Sequence, residues 1–396
     1  MSLANGRRHM ALPGPSIMPD RVLQAMHQAA PDIYTTDLRD QVAEMVLDLK
    51  YIARTEAHVA IYISNGHGAW EAAMANTLSA GDKVLVPATG HFGLEWAQVA
   101  RGQGLEVQLL DHGRQSPMDP ERIRDVLKAD AAHEIKAVLA VHVDTASSVR
   151  SDIAALRRVL DDLGHPALLM VDCIASLGAD EFQMDAWGAD IMVAGSQKGL
   201  MVPPGLGFVF FNDRAHALRQ SKERVPFYWD WSARIAPDAL WQYFGGTAPT
   251  HHLFGLRAAL DMIREEGIEN VWARHKTLAQ SVWAAVEHWG APMALNIADP
   301  AVRSHAVTAV SIGAPDGDRL RDWVRDEAGV TLGFGLGAWS DADPTASGAF
   351  RFGHMGHINA HSTLGMLGAV EAGLVALGIP HVSGGVSAAA QVIAKG

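Results

Sequence analysis

Cysteine is almost absent from this chain: Cys173 is the only one among 396 residues, so no disulfide can form within it. Because extracellular domains often depend on disulfides, a single cysteine favours a reducing compartment. The sequence also lacks any apolar run of about 18 residues, the length that a membrane-spanning helix needs. The first ten residues are polar and lack the apolar core of a signal peptide. These absences predict a cytoplasmic protein without a membrane span.

A basic excess is missing as well, since 32 Lys and Arg residues face 44 Asp and Glu residues and give a formal charge of −12. Nucleic acids are bound by basic surfaces that neutralise phosphates, so this balance argues against a nucleic-acid partner. The 48% of apolar residues indicates a large buried core. A chain of this length exceeds one ordinary core, and we expect two or three domains.

Between residues 58 and 211, short apolar segments rich in β-branched residues alternate with amphipathic helical patterns. Such alternation is typical of a parallel sheet whose two faces are covered by helices. No helix fits before the last segment, which we therefore expect to run antiparallel to its neighbour. The sequence thus predicts an α/β fold with a seven-stranded, mainly parallel sheet. The predicted strands are His58–Ile63, Lys83–Pro87, Glu106–Leu110, Ala137–Val143, Ala167–Val171, Ile191–Ala194 and Gly207–Phe211.

The alternation weakens after about residue 225, where an aromatic loop is followed by a long helical pattern over residues 250–289. The remainder has fewer strands, with candidates at Val307–Ile312 and Ala349–Phe352, and predicts a smaller α+β domain. We place a large domain at residues 20–280, and a small domain at residues 1–19 together with 281–396.

Ligands of parallel sheets bind beyond the carboxyl ends of the strands, where this chain carries polar residues. Gly66-His67-Gly68 follows one strand and opens a helix, whose free backbone N–H groups and positive end suit a phosphate. Asp172 ends another buried strand, where a carboxylate needs a cation or an N–H donor. Read singly, the first feature is also compatible with an ordinary glycine turn, and the second with a helix cap.

Lys198 follows the apolar segment Ile191–Ala194, within Ser196-Gln197-Lys198-Gly199. An ammonium loses its water at the inner end of a buried strand, so a lysine there often has a lowered pKa and attacks a carbonyl. Gln197 beside it offers both a donor and an acceptor. A solvated lysine on a surface turn is the alternative.

A phosphate cradle, a buried carboxylate and a buried lysine on separate strand ends together describe a pocket for pyridoxal 5′-phosphate (PLP). The phosphate would lie at the helix start, the ring nitrogen at Asp172 and the aldehyde in a Schiff base with Lys198. Phe92 is placed to stack on the ring and His91 is its rival, although core packing would also explain either side chain. Arg351, inside an apolar strand, suits a substrate carboxylate, with a structural salt bridge as the alternative.

Histidine is frequent, at 19 residues, but its spacing does not indicate a metal site. His354, His357 and His361 would share one helix face only if their segment were helical, and its glycines favour a loop. We therefore expect no metal. Cys173 directly follows Asp172 on a buried strand, which predicts a small core residue and not a nucleophile.

The chain resembles the class V aminotransferases of PLP fold type I, and more closely the bacterial serine–glyoxylate and alanine–glyoxylate aminotransferases. The resemblance extends from Leu12-Pro13-Gly14-Pro15 to Gly378-Ile379-Pro380-His381. Its most specific motifs are Gly68-Ala69-Trp70-Glu71-Ala72-Ala73, Leu169-Met170-Val171-Asp172, Ser196-Gln197-Lys198-Gly199, Pro203-Pro204-Gly205, Tyr228-Trp229-Asp230-Trp231 and Phe350-Arg351-Phe352-Gly353-His354-Met355-Gly356.

This resemblance implies Lys198 as the Schiff-base lysine, Asp172 as the partner of the pyridine nitrogen and Phe92 as the stacking aromatic. It implies Arg351 as the group that binds the substrate carboxylate. It also implies a homodimer with shared sites, because Thr247 falls where the family sends a hydroxyl to the neighbouring subunit's phosphate. Asn65, Gly66, His67 and Gln197 fall at phosphate-binding positions, and Thr145 where a hydroxyl contacts the cofactor.

Four segments depart from the family pattern near the predicted substrate or cofactor, and they leave the amino donor open. Phe244, with Tyr243 beside it, stands where the animal alanine–glyoxylate enzymes have a tyrosine that assists the threonine. The other departures are Ile33-Tyr34-Thr35-Thr36-Asp37, Ser64-Asn65-Gly66-His67 and Asp144-Thr145-Ala146-Ser147-Ser148.

The sequence therefore predicts a PLP-dependent aminotransferase that moves an amino group from serine or alanine to glyoxylate or pyruvate. The alternatives within the class are ureidoglycine–glyoxylate and pyridoxamine–pyruvate transamination. A PLP lyase of the same fold and a non-catalytic binding protein are further alternatives. A nicotinamide-dependent oxidoreductase is disfavoured, because Gly66-His67-Gly68-Ala69-Trp70-Glu71 lacks the third glycine of the dinucleotide-binding turn.

Overall fold

The computed structural model describes residues 2–34, 37–336 and 348–396, which form a seven-stranded sheet, a five-stranded sheet and a short two-stranded sheet, with helices around them. The helices are α1 Asp20–Met26, α2 Leu38–Ala53, α3 Gly66–Thr77, α4 His91–Gly102, α5 Pro120–Ala129, α6 Ile153–Leu163, α7 Asp213–Ser221, α8 Leu240–Phe244, α9 Thr250–Glu266, α10 Ile268–Trp289, α11 Asp316–Glu327, α12 Ala360–Ala376 and α13 Gly385–Ile393. The strands are β1 His9–Ala11, β2 His58–Ser64, β3 Lys83–Ala88, β4 Glu106–Asp111, β5 Ile135–Val141, β6 Val143–Asp144, β7 Val149–Arg150, β8 Leu168–Asp172, β9 Ile191–Gly195, β10 Gly205–Phe211, β11 Ala294–Leu295, β12 Val307–Ser311, β13 Val330–Phe334 and β14 Ala349–Gly353.

The larger sheet has seven strands in the order β2-β10-β9-β8-β5-β3-β4. Strand β10 runs antiparallel to both of its neighbours, and the other strand pairs are parallel. This confirms the predicted mainly parallel sheet and its one reversed strand. The inner strands β8 and β9 are buried along their whole length, as expected where helices cover both faces of a sheet.

Two predicted elements are divided in the structure. The fourth strand ends at Val141, and Val143–Asp144 instead pairs with Val149–Arg150 in a separate two-stranded hairpin. The long helical pattern over residues 250–289 is broken at Gly267, whose φ of +83° separates α9 from α10. The sequence prediction joined these elements because apolar residues occur on both sides of each break.

The smaller sheet has five strands in the order β1-β13-β14-β12-β11. The sequence predicts β12 and β14 but not the other three strands. Two of those have only two or three residues, and Gly333 interrupts the apolar pattern of β13. Because β1 pairs with β13, the beginning of the chain joins the sheet of its C-terminal part.

Separate hydrophobic clusters fill the two faces of the large sheet and one face of the small sheet. The proposed domain boundary at residue 280 falls inside α10 and stays a prediction. Within the described ranges, no helix is both long enough and apolar enough to cross a membrane.

Candidate active site

A cavity of about 240 Å³ lies at the carboxyl ends of the large sheet's strands. It brings together eight of the residues predicted from the sequence, while Arg351 and Thr247 are not part of its wall. The cavity is lined by Gly14, Pro15, Asn65, Gly66, His67, Trp70, Phe92, Val143, Thr145, Asp172, Ile174, Ala175, Gln197, Lys198 and Pro204.

Lys198 reaches the cavity from residues 196–204, the connection between β9 and β10 that we call the lysine turn. The Ser196 hydroxyl donates to the Pro203 carbonyl over 2.6 Å and accepts from the Leu206 N–H, which closes the turn. Gly199 has no room for a side chain, because a Cβ there would overlap the backbone of Leu177 and Gly178. Burial, and secondarily the nearby Arg351 cation, lower the pKa of Lys198 to about 8. The lysine is therefore not the solvated surface residue of the alternative interpretation.

Asp172 ends β8 and is buried, with only 3% of the residue exposed. Its Oδ2 accepts from the Trp70 indole Nε1 over 3.1 Å, and its Oδ1 accepts from the Ile174 N–H over 2.6 Å. Burial raises the pKa of Asp172 to about 7, and the neighbouring Asp144 adds to that rise. Asp172 forms no ion pair within the part of the chain that the structure describes, so a cation in the cavity would meet an uncompensated carboxyl group.

Helix α3 begins at the cavity wall, which its first residues Gly66 and His67 help to form. Asn65 caps the helix by accepting from the Gly68 N–H over 3.3 Å, and the earlier N–H groups have no partner inside a helix. A Cβ at Gly66 would overlap the Ile174 side chain, so this helix start can lie close to the cavity only as glycine. The start of α3, where the sequence predicts a phosphate site, thus lines the cavity.

Phe92 lies in the cavity wall, whereas its rival His91 does not. His91 turns to the Glu95 carboxylate, with 3.5 Å between His91 Nε2 and Glu95 Oε2. The same oxygen lies 3.2 Å from Nε2 of His67, a cavity residue at the start of α3. The structure therefore places Phe92, and not His91, where a ring could be stacked.

Arg351 lies beside the cavity on β14, with only 5% of its surface exposed. Its Nε donates to the Phe334 carbonyl over 2.7 Å, and one terminal nitrogen donates to the Thr145 carbonyl over 2.8 Å. Burial lowers the pKa of Arg351 to about 10. In the described residues it has no carboxylate within ion-pair distance, which removes the support for a structural salt bridge and leaves a cation available to a ligand.

Thr247 is exposed and lies outside the cavity of its own chain. Phe244 and Tyr243 nearby are both buried, so neither side chain extends from the surface beside Thr247. Of the other departures from the family pattern, Tyr34 is 88% exposed. Thr35 and Thr36 lie outside the described residues.

Trp70 and Asp144 are site residues that the sequence patterns do not predict. The Trp70 indole stacks on Trp96 and supplies the Asp172 hydrogen bond. Asp144 is fully buried and accepts from the N–H groups of Phe92, over 2.8 Å, and Ala146, over 2.9 Å. It therefore connects the helix that carries Phe92 to the loop that carries Thr145. The sequence signal that could have indicated Asp144 is an acidic residue at the end of an apolar strand, like Asp172.

The described residues contain no group of three His, Cys, Asp or Glu side chains arranged to hold a metal ion. Cys173 is fully buried, and burial raises the pKa of its thiol well above the ordinary range. Such a thiol is a core residue and a poor nucleophile.

The residues of the cavity fit PLP on three observations. Asp172 forms no ion pair in the described residues, the first N–H groups of α3 have no partner inside the helix, and burial lowers the pKa of Lys198. A PLP phosphate at α3, a pyridinium at Asp172 and an aldehyde at Lys198 would complement these groups.

Similarity to known proteins agrees with this fit. The family described as Aminotransferase class-V matches residues 13–337. The serine–glyoxylate aminotransferase of Methylorubrum extorquens is 37% identical over 98% of this chain and 96% of its own length. The L-aspartate–glyoxylate aminotransferase of Paracoccus denitrificans is 36% identical over 96% of this chain and 94% of its own length.

Among solved structures, the pyridoxamine–pyruvate aminotransferase of Mesorhizobium loti superposes with a TM-score of 0.89, at 27% identity over 100% of both chains. The predicted fold type and cofactor are thereby confirmed. The chain belongs to the class V aminotransferases and is a PLP-dependent transaminase.

Proposed function

We propose that this enzyme moves an amino group from serine or alanine to glyoxylate or pyruvate, with Lys198 as the lysine that bonds the cofactor. The observation that carries this proposal is the joint placement of Lys198 and Asp172 in one cavity, with the Arg351 cation beside it. When bound, PLP supplies a carbonyl that takes the amino group and a ring that withdraws electrons from the reacting carbon.

The residues of the chain have separate tasks in this proposal. The Nζ of Lys198, with its lowered pKa, takes the proton from the Cα of the amino donor and later returns a proton. The Asp172 carboxylate keeps the ring nitrogen protonated, because in the described residues it has no ion pair and a ring cation would supply one. Arg351 binds the donor carboxylate and so orients the Cα–H bond toward Lys198.

In this proposal the residues that line the cavity bind the cofactor. Asn65, Gly66, His67 and Gln197 hold the phosphate, with the start of α3 as the electrostatic anchor. Phe92 covers one face of the ring and excludes water from it. The Thr145 hydroxyl contacts the cofactor from the loop that Asp144 stabilises.

Serine and alanine are proposed as donors because the cavity is small and only Arg351 is assigned to a substrate carboxylate. The names of the relatives span serine, aspartate and pyridoxamine, so class membership alone does not choose the donor. A donor with a second carboxylate would need a second cation, which makes aspartate the most informative competitor.

The proposal is tested with purified protein and a panel of donors (serine, alanine, aspartate, ureidoglycine and pyridoxamine) against glyoxylate and pyruvate. We expect serine or alanine to convert the bound cofactor to its pyridoxamine form in a single turnover. Lys198→Ala should lose both the absorbance band of the lysine-bound cofactor and the activity. Retention of both by Lys198→Ala would contradict the assignment.

The same experiment separates the alternatives. A lyase would release ammonia or a side-chain fragment without forming the pyridoxamine form, and a binding protein would do neither. A desulfurase is disfavoured by the buried Cys173.

We also propose a homodimer with shared sites and a cytoplasmic location. Thr247 is exposed on its own chain and is therefore free to reach a cofactor phosphate held by a second copy. The location is inferred from the single cysteine. Sedimentation of Thr247→Ala, together with its PLP affinity, tests the dimer: the mass should stay that of a dimer while the affinity falls.

A further inference from the structure

The segment Leu12–Ser16 crosses the wall of the cavity and contacts the lysine turn at three points. The Lys198 ammonium donates to the carbonyl oxygen of Pro13. The N–H of Ser16 donates to the Gln197 carbonyl over 2.9 Å, and the Ser16 hydroxyl donates to the Lys198 carbonyl over 2.7 Å. One short segment therefore binds both the backbone and the amine of the same lysine.

Glycines make this close approach possible. Gly14, at φ +106°, has no space for a Cβ because the end of the Lys198 side chain occupies it. A Cβ at Gly333 would overlap the Pro13 ring, and one at Gly353 would overlap the backbone of Leu12 and Pro13. The segment is thus wedged between the lysine turn on one side and strands β13 and β14 on the other.

Strand β14 also carries Arg351, two residues before Gly353. The segment Leu12–Ser16 therefore contacts both Lys198 and the strand that carries Arg351. Because interiors packed this closely do not deform without cost, the position of the segment restrains the position of the Lys198 amine. Such a restraint matters for a lysine that must reach a carbon whose position Arg351 determines.

We propose that the Pro13 carbonyl is the acceptor that holds the free amine of Lys198, and that Leu12–Ser16 thereby positions this amine for proton transfer. The inference rests on the proposed role of Lys198. A neutral amine that donates one N–H to a fixed carbonyl keeps its lone pair for the substrate proton. In the described residues Lys198 forms no ion pair, so the acceptor is a neutral carbonyl, which stabilises the ammonium less than a carboxylate would.

The test compares Gly14→Ala with a matched control, Gly6→Ala. Gly6 has φ +142° and no atom within 4 Å of its Cβ position, so both variants carry backbone strain but only Gly14→Ala displaces the lysine. The rate of a single half reaction is measured with the better of serine and alanine, and with the same donor deuterated at Cα.

We expect Gly14→Ala to slow the half reaction roughly 100-fold, the cost of a reacting group misplaced by about 1 Å. Its deuterium isotope effect should rise, because proton transfer becomes the slowest step. Both variants should still attach PLP to Lys198, as read by borohydride reduction and mass spectrometry. Equal rates for Gly14→Ala and Gly6→Ala, or loss of PLP attachment in Gly14→Ala, overturn the inference.

A double variant shows whether the effect acts through the lysine. In Lys198→Ala, added methylamine can take over proton transfer, and Gly14→Ala should then have little further effect. A further loss of rate as large as that in the wild-type background would overturn the inference.

If Gly14→Ala does not fold, Ser16→Ala is the substitute, because it adds no bulk and should still raise the deuterium isotope effect. An unchanged isotope effect in Ser16→Ala overturns the inference. If Lys198→Ala itself keeps the cofactor band and full activity, the proposed function fails instead.

Discussion

The indole nitrogen of Trp70 donates a hydrogen bond to the Asp172 carboxylate across 3.1 Å, and both residues are almost completely shielded from solvent. This bond and the one from the Ile174 N–H favour the ionised carboxylate, while burial and Asp144 oppose it. Burial has the larger effect, so the pKa of Asp172 is about 7 without the cofactor. Ionising Asp172 in the cofactor-free site therefore costs free energy, and a cationic ring nitrogen would reduce that cost.

The first prediction concerns Asp172 and stability. Because the folded-state pKa of about 7 exceeds the unfolded value of about 3.9, the folded protein holds more protons between these limits. Stability of the cofactor-free protein should therefore fall as pH rises from about 4 to about 7, by at most about 1.4 kcal/mol per pH unit from this group. Asp172→Asn should lack that component.

Thermal unfolding of the wild type and Asp172→Asn, from pH 4 to pH 8, measures the difference. The Tm of the variant minus that of the wild type should increase up to about pH 7 and then level off. Saturating PLP should flatten the curve, because the ring nitrogen then pairs with the carboxylate. A difference that does not change with pH would show that Asp172 is not the titrating group.

A second prediction concerns the pKa of Lys198, which burial and Arg351 lower to about 8. Only the neutral amine attacks the cofactor aldehyde, so the rate of cofactor attachment should rise with pH around that value. Arg351→Met removes the nearby cation and should move the midpoint to higher pH. Stopped-flow absorbance of cofactor-free protein mixed with PLP measures this midpoint.

Arg351→Lys is the matched control, because it keeps the positive charge but loses the planar fork. Its pH midpoint should stay near that of the wild type, while the KM of the amino donor rises roughly 10- to 100-fold through loss of charge-assisted hydrogen bonds. An unchanged KM in both Arg351 variants would remove Arg351 from substrate binding.

Asp144 yields a third prediction, since it is a buried acceptor for the N–H groups at the start of α4. Asp144→Asn places an amide NH₂ near one of those donors and should cost about 1–3 kcal/mol of stability. Because Phe92 lies at that helix start, PLP binding should weaken by about 10-fold. Denaturant unfolding and PLP titration give the two values.

Asp152→Asn is the comparison for that variant. Asp152 is exposed and caps α6 by accepting from the Ala155 N–H over 2.8 Å, and asparagine caps about as well as aspartate. Asp152→Asn should change the free energy of unfolding by no more than about 0.5 kcal/mol and leave PLP affinity unchanged. Similar losses of stability and PLP affinity in Asp144→Asn and Asp152→Asn would mean that Asp144 acts only as a general helix cap.

The fourth prediction separates the transaminase from a cysteine-dependent lyase. Cys173 is fully buried and its pKa is raised, so a thiol reagent should not modify it in the folded protein. Cys173→Ala should keep the rate of the half reaction. Rapid labelling of the native protein, or an inactive Cys173→Ala that still binds PLP, would support thiol chemistry.

The large sheet and most of the cavity could be predicted from the sequence, because both leave a local trace. Apolar, β-branched segments mark buried strands, and a polar residue directly after one of them must lie at the ligand-binding edge of a parallel sheet. Lys198, Asp172 and the Gly66 helix start are all of this kind. Their chemistry follows from residue type and burial, and the structure places all three around one cavity.

Tertiary structure alone decided the contacts that have no local trace. The carbonyl partners of Arg351 and the pairing of β1 with β13 depend on how distant segments pack. The Lys198 bond to Pro13 joins residues 185 positions apart through a backbone oxygen that every residue possesses. A sequence specifies where a lysine is buried, but only the folded chain determines which carbonyl it meets.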